Sequence, residues 1–406
     1  MLVIGHQWPE PDATAAGERM LWLLKGFLSD GYSVTFACAC GPGAYEADLE
    51  GLGIQRVAIR LNDSSFDHFL KSRRFSHVLF DRFLTEEQFS WRVRQCLPQA
   101  LLLLDTEDLH SLRHSREVAV RQGKSWSISD WSADPVFFRE VASMFRADLN
   151  LIISEREIHL LTTLLPLLKA KLVYVPFGMD LPDPGERMDF YGRSGFVFVG
   201  NGKHRPNLDA ITQLKTAIWP QIRKSLPGER LCIYGAYLPE HMMQFHAPAD
   251  GFEVIGWAPD LGAVFRKARL QLAPLRYGAG IKGKVLKANL FGLPTLGTSS
   301  GFEGIIQVSD ALSFSADTAD SFAAKAVDLY KDEPTWSSAL HCQNEAVQAH
   351  VRASFDLLAQ TLQSLQQRKA EMPNEARILE NLLRNEAFGR VQYLSRWIEA
   401  KEKGEN

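Results

Sequence analysis

Cysteine is scarce in this chain of 406 residues: Cys38, Cys40, Cys96, Cys232 and Cys342 are five in number, scattered and without metal-ligand spacing. That pattern excludes a disulfide framework and points to reduced, buried thiols. No apolar run approaches the roughly 18 residues that cross a bilayer, and the opening MLVIGHQWPEP enters a short apolar strand without a basic leader. A cytoplasmic protein is therefore expected. Charge of one sign is also lacking. A net charge of −3 gives no global basic field, so any polyanion site must be local. The aromatics are spread over expected core elements and are not interleaved with basic residues, which disfavours nucleic acid as a partner. H-E-x-x-H, paired C-x-x-C and G-x-S-x-G are missing, so neither a metal site nor a serine hydrolase is expected.

What is present is an ordinary globular composition, 46% apolar and 23% charged, in a chain long enough for two domains. Short apolar runs alternate with helical patterns. LVIG (2–5), YSVTFAC (32–38), SHVLFD (76–81), ALLLLD (100–105) and LNLIIS (149–154) read as strands, and Arg19 to Leu28 as an amphipathic helix. The pattern restarts with FVFVG (196–200), RLCIYG (230–235), GFEVIG (251–256), LQLAPL (270–275) and PTLGT (294–298). Such alternation predicts βαβ units and parallel sheets. Between the sets lies a stretch rich in Pro, Gly and acidic residues, read as a linker. The expected domains are 1–176, a linker 177–195, a second domain 196–345, and C-terminal helices 346–406 that pack back on the first domain. The last of these is amphipathic, with apolar residues from Ile378 to Ile398 and arginines between them, which leaves packing on its own chain, a protein contact and a membrane surface open.

One stretch carries chemistry. PLRYGAGIKGKVLKANLFGLP (274–294) joins an expected strand to an expected helix. In doubly wound folds ligands bind there, beyond the carboxyl ends of strands. Gly278, Gly280 and Gly283 allow an anion to approach backbone amides, and the helix dipole favours negative charge. Arg276, Lys282 and Lys284 add cations matched to phosphate. The loop is neither a Walker A loop nor a dinucleotide fingerprint following a first strand, so a diphosphate outside the ATP and nicotinamide classes is expected. A tight turn with a solvated helix start is the alternative, and Gly292 reads as a helix C-cap.

The segments FVGNGKHRPNLDAI (198–211), IWPQI (218–222), LCIYGA (231–236), VIGWAPDL (254–261), PLRYGAGIKGKVLKANLFGLPTLGT (274–298) and GFEGI (301–305) resemble the C-terminal half of glycosyltransferase family 4, also called group 1. PEPDATAAGERML, DTEDLHSLRHSRE, IISEREI and VPFGMD resemble its N-terminal half less sharply. The resemblance covers about residues 1–360. It implies an α/β GT-B architecture, two Rossmann-like domains facing a cleft, and an enzyme of polysaccharide biosynthesis or a related pathway. It implies retaining transfer from a nucleotide-diphosphate sugar to a hydroxyl of a glycan, lipid-linked saccharide or small acceptor, with no metal and no further cofactor. Arg276 and Lys282 would contact the diphosphate with the backbone of Gly280 and Ile281, and Gly278 would shape the loop. Gly200, Lys203 and Arg205 lie where the family places another phosphate contact. His110 is the candidate near the sugar and acceptor, with Asp105, Glu107 and Asp108 beside it. Gly17 would admit a phosphate or acceptor at the first turn, with Asp12 and Arg19 as weaker acceptor candidates and His6 as structural. The family's two glutamates fall on Ala279 and Lys287, so Glu303 is the candidate substitute at the ribose. A hydrolase or epimerase on this architecture and a non-catalytic scaffold stay open, as does peripheral contact with the inner membrane face.

Overall fold

The computed structural model describes residues 1–179, 188–306, 313–351 and 355–404. The linker expected at 177–195 falls in part on residues 180–187, outside the described residues. The chain builds two parallel sheets. The first contains β1 (Leu2–Gly5), β2 (Thr35–Cys38), β3 (Gln55–Ala58), β4 (His77–Asp81), β5 (Leu101–Asp105), β6 (Leu149–Ile152) and β7 (Leu172–Tyr174), in the order β3-β2-β1-β4-β5-β6-β7. The second contains β8 (Phe196–Val199), β9 (Leu231–Tyr234), β10 (Phe252–Gly256), β11 (Leu270–Ala273) and β12 (Thr295–Gly297), ordered β10-β9-β8-β11-β12. Each sheet reverses its strand order once, between β1 and β4 and between β8 and β11, and those reversals are where a doubly wound fold leaves a crevice.

The strands form because their runs of Val, Ile, Leu and Phe are covered on both faces. In the first sheet Leu2, Ile4, Phe80, Leu102 and Leu104 face one apolar core, while Val3, Phe36, Leu79, Leu101 and Leu103 face another. The periodicity missed two strands. β3, QRVA, is an edge strand with mostly exposed side chains, and β7 spans only three residues. Neither has the continuous apolar run that marks a central strand.

The helix Ala15–Ser29 opens the crevice of the first sheet. Thr14 caps it by accepting from the Gly17 amide at 2.9 Å. A Cβ on Gly17 would stand 2.5 Å from the Glu10 backbone nitrogen, so the residue is glycine because two segments of backbone meet there. In the second sheet, β11 leads through the glycine-rich loop into the helix Gly283–Leu290, and Gly292 ends that helix with φ +69°.

The helix Glu333–Val351 runs through the boundary expected at 345, and its Ala339, Val347 and Val351 belong to the second core. The helices after it lie on the first domain. Phe355 meets Phe27 edge-on at 5.2 Å, and Leu358, Leu362 and Leu365 join the first domain's core. The last helix, Asn374–Glu402, is tied down by Lys171–Glu380 at 2.7 Å, Arg384–Asp148 at 3.0 Å and Arg92–Glu399 at 3.2 Å. It still exposes Ile378, Leu382, Tyr393, Leu394 and Trp397.

Arg193 anchors the entry to the second domain. It is 1% exposed and donates to the carbonyls of Met188, Phe265, Ala268 and Phe291 at 2.8 to 3.1 Å. Alanine there would orphan several buried carbonyls and leave a cavity. Arg193→Ala is expected to lower unfolding free energy by about 3 kcal/mol in denaturant titrations followed by tryptophan fluorescence.

Candidate active site

The carboxyl ends of the two sheets face each other across a cavity of about 400 Å³. Its lining comes from both sides. The first domain contributes Gln7, Asp12 to Ala16, Glu18, Arg82, Glu107, Asp108, His110 and Arg113, and the second contributes Gly200, Lys203, His204, Asn207, Gly278, Ile281 to Lys284 and Lys287.

Two lysines at the start of the helix Gly283–Leu290 dominate its charge. Lys282 is buried, donates to the Gly280 carbonyl at 3.1 Å and lies 4.0 Å from Glu303. Burial lowers its pKa, an effect that Glu303 opposes. Lys284 donates to Asn207 Oδ1 at 2.6 Å and sits 4.5 Å above the Phe198 ring. Burial, reinforced by the charge of Lys282, brings it down to about 7. Two crowded ammonium groups at a helix N-terminus make a site that an anion would stabilise.

The predicted site residues divide. His110, Gly200, Lys203, Gly278, Ile281 and Lys282 line the cavity. Lys203 lies 3.5 Å above the Tyr237 ring. His110 is held by its own backbone amide, which donates to Glu140 at 2.8 Å, and its Nε2 is 3.4 Å from Asp108. Burial pushes the imidazole down to about 3, so it is neutral at physiological pH. Asp108 forms a two-pronged pair with Arg113, and that pairing outweighs burial and keeps its carboxylate ionised.

Other predicted residues are placed elsewhere. Arg276 turns out of the cavity to pair with Asp209 through two nitrogens, and its side chain is 43% exposed. Arg205 pairs with Glu117 of the first domain at 3.0 Å. Gly17 serves the backbone crossing described above. The Gly280 amide is already taken: it donates to Glu157 Oε1 at 2.7 Å. Glu303 is clamped by both terminal nitrogens of Arg116, at 2.6 and 2.8 Å. Arg19 is wholly buried and donates to Asp105 and to the carbonyls of Val175 and Pro176.

Sequence reasoning named Lys287 but neither its partner nor the other residues that close the cleft. Arg116 donates to the Gly278 carbonyl at 2.7 Å as well as to Glu303. Lys287 meets Glu18 of the first domain at 3.2 Å. Tyr237 donates to Glu10, Asn201 to the Ala13 carbonyl, and the Trp257 indole to the Asp12 carbonyl. His204, beside Lys203, also lines the cavity and is pushed down to about 3 by burial. Only its place in GKHRPN could have signalled it.

Among the described residues no group of three or more His, Cys, Asp or Glu is arranged to hold a metal ion, and no helix is long and apolar enough to cross a membrane.

Residues 193–332 match the family model described as Glycosyl transferases group 1. Among solved structures, sucrose-phosphate synthase from Thermosynechococcus elongatus superposes with a TM-score of 0.64 at 14% identity, over 92% of this chain and 99% of that one. Alr3699/HepE of Anabaena, solved with UDP-glucose, gives 0.62 at 11%, over 91% and 99%. WaaG, a glycosyltransferase involved in lipopolysaccharide biosynthesis, gives 0.60 at 12%, over 90% and 99%. No curated protein sequence matches the chain. The chain thus has the two-domain GT-B fold, and its second domain is a group 1 glycosyltransferase domain.

Glu157 offers a direct check on this geometry. Its carboxylate, reaching from the first domain, accepts from Gly280 N and from Leu109 N at 3.2 Å, and burial raises it to about 8. A carboxyl raised in the folded state stabilises fully below its unfolded pKa near 4.5, and the contribution is lost as pH rises through 8. Glu157→Gln keeps the acceptor oxygen without the charge. Its melting temperature should match the parent at pH 5 and exceed it by about 2 °C or more at pH 8.5, measured by calorimetry.

Proposed function

We propose that the protein transfers a sugar from a nucleotide-diphosphate sugar to a hydroxyl of a glycan, lipid-linked saccharide or small acceptor, as a family 4 enzyme acting with retention and without a metal ion. The observation that carries this reading is the pair Lys282 and Lys284, two cavity lysines with depressed pKa values at the N-terminus of the helix Gly283–Leu290. A departing diphosphate develops negative charge, and fixed cations beside a helix N-terminus stabilise that charge without reorganisation. Lys203 and the loop amides of 281–283 lie on the same wall.

Across the cavity, neutral His110 donates to or accepts from a sugar hydroxyl, since its low pKa keeps one ring nitrogen free of a proton. Asp108, held ionised by Arg113, orients it. The interdomain contacts exclude bulk water, which protects an activated donor from hydrolysis. Lys287 takes the place of a ribose-binding carboxylate, and its pairing with Glu18 puts a carboxylate from the first domain at the same wall.

A thermal-shift panel of UDP, GDP, ADP and dTDP tests the donor site. One nucleoside diphosphate at a hundred times its Kd should add about 2.7 kcal/mol of stability. Lys282→Ala should abolish that shift and reduce sugar transfer at least about a hundredfold, with the unliganded melting temperature held or raised. No shift with any nucleotide in the parent protein would remove the reading.

A further inference from the structure

Two neighbouring strands of the first sheet end alike. β4 and β5 run in parallel register with Asp81 opposite Asp105. Arg82 at φ +72° directly follows the first strand and Glu107 at φ +60° lies two residues past the second, both in the left-handed region. Neither side chain favours that conformation, so the fold carries backbone strain at two adjacent strand ends. Both residues line the cavity.

Glu107 is in a costly environment as well. It is 8% exposed, and its Oε1 is buried with no hydrogen-bond partner among the described residues. Arg19 gives its terminal nitrogens to Asp105 and to backbone carbonyls. Arg82 reaches Asp81 only at 3.5 Å. Burial, then the nearby Asp105 and Asp81, hold the Glu107 carboxyl well above the usual carboxylate range and favour the neutral form. A buried carboxyl oxygen left short of a partner lowers stability, and strain at the same residue compounds the loss. The Glu107 amide donates to the Asp105 carboxylate, which accounts for the turn there but not for the unpartnered Oε1. A ligand bound in the cavity accounts for that oxygen.

Resting on the glycosyl-transfer reading above, we propose that Arg82 and Glu107 form the acceptor pocket and hold neighbouring hydroxyls of a polyhydroxyl acceptor such as a sugar ring. Glu107 accepts from one hydroxyl, and Arg82 donates to the next. The pair selects this chemistry because it offers an acceptor and donors at one spot. The Glu107 carboxyl, held toward its neutral form by burial, both accepts and donates, the Arg82 guanidinium donates, and a hydroxyl, which does both, matches each. Both side chains are positioned to bind the acceptor, opposite the lysines that bind the donor.

Saturation-transfer NMR with methyl glucoside, methyl galactoside, methyl mannoside and glycerol, each with and without UDP, tests this. At least one of these probes should receive saturation from the parent protein. That signal should fall at least tenfold in Glu107→Ala and in Arg82→Ala, while UDP signals persist. Glu107→Gly, which relieves the strain and removes the carboxylate, should raise the unliganded melting temperature and lose the same signal. An undiminished signal in the Glu107 variants, no signal from any probe in the parent protein, or a lowered melting temperature in Glu107→Gly would overturn the proposal. Loss of UDP binding alone, with the glycoside signal intact, counts against the donor site and not against this pocket.

Discussion

The hydrogen bond from the Gly280 amide to Glu157 is the contact on which the cleft depends. Gly280 adopts φ +60°, and a Cβ there would lie 2.8 Å from Asp108 of the first domain. The glycine-rich loop is thus fitted against the opposite domain at its tightest bend, with no room for a side chain. Arg116 fixes the same loop from a second side through the Gly278 carbonyl and Glu303. Both anchors come from the first domain. The loop's shape, and so the placement of Lys282 and Lys284, is a property of the closed pair of domains and not of the second domain alone.

Burial then sets the electrostatics. Desolvation disfavours charge on every group in the cleft, but each answers according to its partner. His110 and His204 are driven to neutrality. Asp108 stays ionised because Arg113 holds it. Lys284, beside another cation, falls to about 7. One wall is therefore short of negative charge and the other, at Glu107, short of a hydrogen-bond donor. A donor and an acceptor arriving together would satisfy both.

Much of the fold was legible in the sequence because the central strands of a parallel sheet are continuous apolar runs, and FVFV and LLLLD leave little choice. β3 escaped because an exposed edge strand has no such run. The lysines of GAGIKGKV were legible as a pair of cations after a strand, and both line the cavity. Arg276 shows the limit of that logic. It sits in the same motif, yet Asp209, far off in sequence, draws its guanidinium outward. Glu157, Arg116 and Glu18 were illegible for the converse reason: their roles arise only where the two domains meet, and no local pattern marks a residue that acts across a cleft. The left-handed turns at Arg82 and Glu107 are hidden likewise, because neither residue type announces a positive φ.

The central claim is that Lys284 stands partly deprotonated until an anion arrives. Calorimetric titration at pH 7.5 with the nucleoside diphosphate that binds most tightly, repeated in buffers of differing ionisation enthalpy, measures the protons taken up on binding. The account predicts uptake of about half a proton or more, vanishing in Lys284→Met. Tight binding without proton uptake, or uptake unchanged in that variant, would contradict it.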